Sequence, residues 1–315
     1  MDDHPSLSGI TWALIAATAT AAAAAMAARG LRLDWASIMV PVAFAGLLLA
    51  GIRVYAVARP DARIVAALTA VLQLIVFTTA GVGLSYAVAS LPGAFWDATF
   101  ERWDEALGFD WRALLALANA HPRLAGLGRL TYASIEPQMI VLVLALALSG
   151  RLGALRLFVA AVVLAGLVSI LVPAAMPALG TYVELQITPV RYDAINATSG
   201  LAFVPVIEAL RAGTLRAVSL ASAEGLVTFP SYHAALAVIF AWGWSRLRWL
   251  GWPGLALNLA MIVATPIYGG HYLVDILAGV ALAAAALAGL GILVPRLAQA
   301  LRHGTARAGS LAATE

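Results

Sequence analysis

Residues 64–90 read IVAALTAVLQLIVFTTAGVGLSYAVAS, an apolar stretch without a charged residue. About 20 consecutive apolar residues cross the hydrocarbon core of a bilayer as an α-helix, so this segment is long enough to span a membrane. Further apolar stretches lie at residues 9–28, 35–52, 131–149, 155–176, 231–245, 252–268 and 271–295. The sequence therefore predicts an all-α, polytopic membrane helical bundle with about eight transmembrane helices.

The amino-acid composition supports a membrane protein and excludes several kinds of active site. Of 315 residues, 63% are hydrophobic and 11% are charged, whereas soluble domains carry about 25% charged residues. All 19 basic residues are arginine, and cysteine is absent, which excludes disulfides, thiolate catalysis and cysteine metal sites. The net charge of +3 is small, and no basic run indicates a nucleic-acid partner.

Arginine placement predicts the orientation in the membrane. With eight spans, both termini share one face with the turns near residues 53–63, 151–156 and 246–248. Arginines outnumber acidic residues on that face, which marks it as cytoplasmic. Both termini are therefore predicted to be cytoplasmic. Because Asp2 and Asp3 precede the first apolar stretch, we expect a retained helix there and no cleavable signal peptide.

Residues 91–130, between the third and fourth spans, have an amphipathic pattern. Apolar residues recur at helical spacing with charged residues between them: Trp96, Phe100, Trp103, Leu107, Trp111, Leu114 and Leu115, with Asp97, Glu101, Arg102, Asp104 and Glu105. The pattern predicts amphipathic helices lying in the membrane interface. They would serve as a membrane anchor, which is the simpler interpretation, or as a platform that guides lipid toward a site.

The candidate chemistry lies in TFPSYHAA, with His233, and in YGGHYLVDILAG, with His271. Asp275 follows His271 by four residues, so both project from one face of a predicted helix. A carboxylate that binds one imidazole nitrogen leaves the other as a basic lone pair, as a histidine nucleophile or base requires. A helix-packing pair without chemistry is the alternative.

Both motifs are predicted to begin helices at the same membrane face, because one span separates them. Gly269 and Gly270 precede His271, and Ser231 is placed to cap the helix that carries His233. Helix N-termini and glycine-rich turns bind anions, and phosphate above all. The pattern predicts a phosphate site with two imidazoles and a carboxylate.

FPSYH followed by GGHYLVD resembles the second and third signature motifs of the type 2 phosphatidic acid phosphatase superfamily. The HYxxD form resembles most the branch of fungal inositol phosphorylceramide synthase and related inositol phosphotransferases. The segments DEALGFDW (104–111), RAGT (211–214) and GLVTFPSYHAALAV (225–238) are also similar to bacterial members of that branch. The resemblance covers about residues 90–290. It implies a protein of a bacterial inner membrane, and the arginine placement predicts that the motifs, and so the active site, lie on the non-cytoplasmic face.

The resemblance implies a lipid phosphatase or phosphotransferase that needs no metal and no cofactor. His271 would be the nucleophile that forms a phosphohistidine, Asp275 would orient it, and His233 would be the general acid and base. The substrate would be a lipid phosphate or a phospholipid, and the acceptor either water or an inositol- or ceramide-like alcohol. The HYxxD form favours transfer over hydrolysis.

Two departures from the family pattern concern the phosphate clamp. The first motif needs a lysine, which this chain lacks, and Arg59-Pro60 mimics that motif only on the opposite face. The arginine that usually precedes the nucleophile is replaced in the stretch that holds Ala264 and Thr265. A transferring phosphoryl group needs cationic partners. The predicted substrate-binding residues are Arg211, Arg216, Arg191, Ser231, Gly269, Gly270 and Tyr272.

The predicted organisation has an N-terminal transmembrane helix pair at 1–62, a catalytic membrane bundle at 63–300 and a short cytoplasmic tail at 301–315. The polar cluster of Glu136, Pro137 and Gln138 is interpreted as structural. Two other functions remain open, a secondary transporter whose His and Asp relay protons and a lipid-binding scaffold. A transporter predicts polar groups near the bilayer midplane in matching halves, whereas these lie at helix starts.

The orientation is testable with a protease-accessible tag on the C-terminus. Because the arginine-rich face is predicted to be cytoplasmic, protease added to intact cells should leave the tag uncut. Protease should remove the tag after the cells are opened. Cleavage of the tag in intact cells would reverse the assignment.

Overall fold

The chain folds as a bundle of α-helices, as predicted. A computed structural model describes residues 5–187, 195, 201–223 and 225–293. Within them the helices are α1 (Pro5–Arg29), α2 (Trp35–Arg53), α3 (Ala62–Ala89), α4 (Asp97–Ala106), α5 (Trp111–Ala120), α6 (Pro122–Ala133), α7 (Ile135–Leu148), α8 (Leu152–Leu171), α9 (Thr181–Glu184), α10 (Val204–Ala212), α11 (Tyr232–Ser245), α12 (Gly251–Gly269) and α13 (Leu273–Ala288).

Each predicted apolar stretch forms a helix, but fewer than eight reach membrane-spanning length. Among the described residues, those long and apolar enough are Leu7–Arg29, Trp35–Ala58, Ala62–Ala89, Leu152–Ala174, Arg248–Gly269 and Leu273–Ile292. The pair α6 and α7, bent by 48° at Ser134, makes a seventh if counted as one broken span. Helix α11 has 14 residues, fewer than the about 20 of a straight span.

Short polar side chains start several of these helices. The carboxylates of Asp34, Asp61 and Asp110 accept backbone N–H groups at the starts of α2, α3 and α5. Such caps satisfy donors that have no partner within the helix. Aspartates in this apolar chain therefore cap helices, in addition to forming part of the candidate catalytic pair.

Helix α8 is the centre of the bundle. Its side chains are buried along most of its length, and it packs against α1, α3, α11 and α13. Helix α2 lies at the periphery on α3, and many of its large apolar side chains are exposed. A helix that is apolar on all sides is buried in protein or faces lipid. The bundle therefore combines a protein-packed centre with a lipid-facing rim.

A short parallel ladder ties the N-terminal helix pair to the segment before α11. Strand β1 (Arg32–Leu33) pairs with β2 (Ala217–Val218), with Arg32 opposite Ala217 and Leu33 opposite Val218. The Val218 side chain is fully buried. Residues near the start of the chain thus anchor a segment that lies far along the sequence.

The segment predicted to be amphipathic forms α4, α5 and α6. Its exposed side includes Trp103, Leu117 and Leu124, in agreement with helices that rest on an apolar phase. Asp97 and Asp104, expected among the polar residues of the interface, are instead buried at 4% exposure each. They lie on one side of α4 with Phe100, because positions three and seven residues apart share a helix face.

Gln138 connects three helices inside the bundle. Its Oε1 accepts from Trp244 Nε1 and from Asn258 Nδ2, both at 2.9 Å, and its Nε2 donates to Ser134 Oγ at 2.9 Å. Helices α7, α11 and α12 therefore share one buried amide. These contacts agree with the structural interpretation of the polar cluster.

We expect Gln138→Leu to destabilise the folded protein. The Trp244 Nε1–H group and the Asn258 N–H that does not bond to Gly254 would be left buried without an acceptor, at about 1–3 kcal/mol for each. Thermal unfolding in detergent should show a lower midpoint than wild type. Glu136→Gln, at an exposed position of the same helix, should leave it unchanged. Equal midpoints for Gln138→Leu and wild type would contradict the structural role.

Candidate active site

His233 lies in the first turn of α11, directly after the cap at Ser231. Ser231 Oγ accepts from the backbone N–H of Ala234 at 3.3 Å, so the predicted cap is confirmed. The backbone N–H groups of Tyr232 and His233 have no acceptor within the helix itself. Tyr232 and His233 also line a cavity, so the positive end of α11 adjoins it.

His271 and Asp275 form the predicted pair. His271 Nδ1 lies 3.1 Å from Asp275 Oδ2, and the residues are 4% and 0% exposed. This contact leaves Nε2 as the second ring nitrogen. His271 precedes α13 and does not lie on it, because Tyr272 is the residue that caps the helix. Asp275 reaches back from the first turn and also accepts the Tyr272 N–H at 3.0 Å.

The glycine pair before His271 shapes the turn between α12 and α13. Gly270 ends α12 with φ 63°, in the left-handed region that favours glycine. A Cβ on Gly269 would lie 2.4 Å from His271 Cδ2 and 3.0 Å from Nε2. Gly269 therefore leaves room for the His271 ring, a steric role that the sequence interpretation, which assigned it to anion binding, did not include.

His233 and His271 line one cavity of about 350 Å³. It lies between α3, α8 and the ends of α11 and α12, and Thr228 and Ser169 add hydroxyl groups to its wall. Ser169 is 1% exposed, and its Oγ has no hydrogen-bond partner among the described residues. The cavity therefore combines two imidazoles with polar side chains inside an apolar bundle.

Tyr132 is a site residue that the sequence interpretation missed. Its ring stacks on His233 with centroids 4.3 Å apart and planes 8° from parallel, and it lines the same cavity. Parallel contact over the ring face limits rotation of the imidazole. No spacing rule connects residue 132 with residue 233, so the sequence contains no local signal for this contact.

The two motif-bearing helices touch at their starts. The backbone N–H of Ser231 donates to the backbone carbonyl of Asp275 at 2.9 Å. A Cβ on Gly279 would lie 2.2 Å from the carbonyl oxygen of Ser231. The absence of a side chain at Gly279 thus allows α11 and α13 to approach closely enough to bring His233 and His271 to one cavity.

Among the predicted cationic residues, Arg211 and Arg216 do not line this cavity. Arg211 Nη1 donates to the carbonyl of Gly93 at 2.9 Å, and its guanidinium lies 3.8 Å from the Phe95 ring centroid. Arg216 Nη1 donates to the carbonyl of Arg29 at 2.7 Å. Arg191 lies outside the described residues. A phosphate clamp by these arginines stays a prediction.

Tyr272 faces away from the cavity and toward α4. Its hydroxyl donates to Asp97 Oδ1 at 3.0 Å. The backbone N–H groups of Leu273 and Val274 donate to the carboxylate of Asp104. Protein carboxylates therefore occupy the N-terminus of α13, and the expectation that this helix start binds an anion is wrong for those two N–H groups.

Asp97 and Asp104 are ionisable groups in a buried setting. Burial raises the pKa of both carboxyls, and their backbone N–H bonds oppose that rise. Both oxygens of Asp104 accept a hydrogen bond, which is the pattern of the ionised form. Within the described part of the chain, no group of three or more His, Asp or Glu side chains could hold a metal ion.

One comparison with known proteins identifies a family. The sequence model of the family described as the PAP2 superfamily matches residues 98–289. That range contains His233, His271 and Asp275 and begins within α4. No curated protein and no solved structure matches the chain.

We expect Gly279→Ala to destabilise the junction between α11 and α13. The added methyl group would overlap the Ser231 carbonyl, and overpacking of a close contact costs about 1–3 kcal/mol. Thermal unfolding in detergent should show a lower midpoint. Gly289→Ala, where a Cβ would meet nothing within 4 Å, is the matched control. An unchanged midpoint for Gly279→Ala would contradict the prediction, because it would mean that α11 and α13 can move apart without loss of stability.

Proposed function

Because this chain belongs to the PAP2 superfamily, we propose that it transfers a phosphoryl-linked headgroup from a lipid through a phosphohistidine. Family membership supports a phosphatase-type activity on a lipid phosphate, and the long apolar helices indicate an integral membrane protein. The observation that carries the finer proposal is the His271–Asp275 pair, whose imidazole lines the same cavity as His233.

His271 is the proposed nucleophile. Its Nδ1 is held by Asp275, so Nε2 presents the lone pair that attacks phosphorus. The P–N bond forms as the P–O bond to the leaving group breaks. Asp275 then faces a positively charged imidazole and stabilises it, because a buried carboxylate favours the cationic form of its partner.

His233 is the proposed general acid and base. It protonates the oxygen of the leaving group in the first step. In the second step it takes a proton from the incoming water or alcohol, whose oxygen attacks phosphorus and breaks the P–N bond. The stack on Tyr132 keeps the His233 ring in one orientation for both transfers.

The first turn of α11 is the proposed phosphate contact. The N–H groups of this turn that have no acceptor within the helix, and the positive end of its dipole, adjoin the cavity. Such preorganised donors stabilise the charge that develops on the phosphoryl oxygens. Because the N–H groups of Leu273 and Val274 at the start of α13 bond to Asp104, the start of α11 is the one proposed to bind phosphate.

Headgroup transfer to an alcohol, inositol- or ceramide-like, is proposed in preference to hydrolysis. The support is the HYxxD form at His271–Asp275 and its resemblance to inositol phosphotransferases. In chemical terms the two reactions share the first step and differ only in the oxygen that attacks the phosphohistidine.

The proposed location is a bacterial inner membrane, with the active site on the non-cytoplasmic face and both termini cytoplasmic. This orientation requires that the short helix α11 also crosses the bilayer, because only an even number of crossings places both termini on one face. Arg63 Nη1 donates to the carbonyl of Leu148 at 3.2 Å, so two arginine-rich turns meet at one end of the bundle. The cavity lies beside Phe77–Ser85, toward the far end of α3. This separation supports opposite faces for the arginines and the site.

The mechanism is testable with purified protein in detergent and a panel of phospholipids, lipid phosphates and polyprenyl phosphates. We expect His271→Ala to abolish turnover, since no nucleophile remains. We expect His233→Ala to lower the rate by about 10²–10⁴-fold, the usual contribution of general acid–base catalysis. Free phosphate and new lipid species are measured together, so that the products distinguish hydrolysis from transfer.

His121→Ala is the control, because His121 is exposed and its ring bonds to the local carbonyl of Leu117. It should keep wild-type turnover. Turnover that survives His271→Ala would exclude the phosphohistidine. Release of free phosphate alone, in the presence of inositol- and ceramide-like alcohols, would exclude transfer and leave a phosphatase.

A further inference from the structure

Asp104 holds the backbone directly after the proposed nucleophile. Its Oδ2 accepts the N–H of Leu273 at 2.7 Å, and its Oδ1 accepts the N–H of Val274 at 2.9 Å. The side chain is buried at 4% exposure. A single carboxylate on α4 thus binds two successive N–H groups in the first turn of α13.

Asp97 holds the backbone on the other side. Its Oδ1 accepts the N–H of Gly180 at 2.7 Å, and each oxygen lies 3.0 Å from the N–H of Leu179. The next residue, Thr181, donates its N–H to the carbonyl of Gly270 at 3.0 Å. Asp97 therefore orders the segment that holds the residue before His271.

The close packing of these two loops leaves little freedom. A Cβ on Gly180 would lie 2.7 Å from the carbonyl oxygen of Gly270, and φ at Gly180 is 87°, in the left-handed region that favours glycine. The Tyr272 hydroxyl donates to Asp97. Residues on both sides of His271 are consequently bonded to α4 or to a loop that α4 holds.

We propose that Asp97 and Asp104 are positioning residues that fix the direction of the His271 ring through the backbone of residues 270–274. The role of that ring as nucleophile rests on the proposed function; its restraint by α4 does not. Neither carboxylate belongs to the described lining of the cavity, so they act through His271 and not on the substrate.

The chemistry of the contact favours positioning over stability. A buried carboxylate loses hydration, and its hydrogen bonds offset that loss only in part. An uncharged Ser, Thr or Asn cap would satisfy helix N–H groups without burying a charge. We therefore assign a positioning role to the two carboxylates, which lie seven residues apart on one face of α4. Each accepts hydrogen bonds from two or more donors and restrains the direction of those donor groups.

The first experiment measures the His271 ring without any substrate. The full chain, labelled with ¹⁵N-histidine in detergent micelles, is compared with Asp104→Asn, and the His271 signals are assigned with His271→Gln. An asparagine keeps one acceptor and turns an NH₂ group toward the second backbone N–H. We expect the His271 ring nitrogens to shift in Asp104→Asn, because the contact of Nδ1 with Asp275 changes.

Glu105→Gln, at an exposed position on the same helix, is the matched control and should leave the His271 signals unchanged. If Asp104→Asn does not fold, Tyr272→Phe removes only the hydroxyl bond to Asp97 and should produce a smaller shift. Spectra identical to wild type in a folded Asp104→Asn, or in a folded Tyr272→Phe when Asp104→Asn cannot be measured, would overturn the proposal.

The second experiment measures turnover per folded protein in the same variants. We expect Asp104→Asn to lower kcat by about 10- to 100-fold, the effect of a small misplacement of a reacting group, with KM within about twofold of wild type. A purely structural role would lower the unfolding midpoint and leave kcat of the folded fraction unchanged. A wild type without turnover would refute the proposed function, while the nitrogen spectra would still decide the positioning.

Discussion

The hydrogen bond from the Ser231 N–H to the Asp275 carbonyl is the contact on which the arrangement of the site depends. It joins the starts of α11 and α13 through backbone atoms, and Gly279 allows the approach because it lacks a side chain. A backbone contact of this kind has a narrow range of distances. The separation of His233 and His271 is therefore determined by helix packing as well as by their rotamers.

Buried polar groups explain much of the remaining architecture. In an apolar surrounding an unpaired polar group is costly. Several of the described polar side chains therefore form hydrogen bonds, and they do so in different ways. Gln138 joins three helices through one amide, whereas Asp97 and Asp104 hold backbone N–H groups of loops and of α13. Together, Asp97 and Asp104 restrain the start of α13 and the segment before α9.

Helix α4 connects the interface helices with the proposed catalytic residues. Helix α4 exposes Trp103 and buries Phe100, Asp97 and Asp104, so one short amphipathic helix contacts both the outer surface and the loop that carries His271. Phe100 stacks on Phe229, the first residue of the FPSYH motif, with centroids 4.8 Å apart. The segment can therefore serve as a membrane anchor or as a platform that guides lipid, and also hold the loop that carries His271.

The sequence alone determined the all-α membrane fold, the positions of the apolar helices, the Ser231 cap and the His271–Asp275 pairing. These follow from local composition and from spacings of three or four residues, which backbone geometry converts directly into contacts. The stack of Tyr132 on His233, the inward side of α4, the bend between α6 and α7 and the displacement of Arg211 and Arg216 from the cavity were decided only by tertiary structure. The bend lies between two consecutive helices, whereas the other three features join residues far apart in the chain. Such contacts depend on how helices pack, which no local pattern specifies.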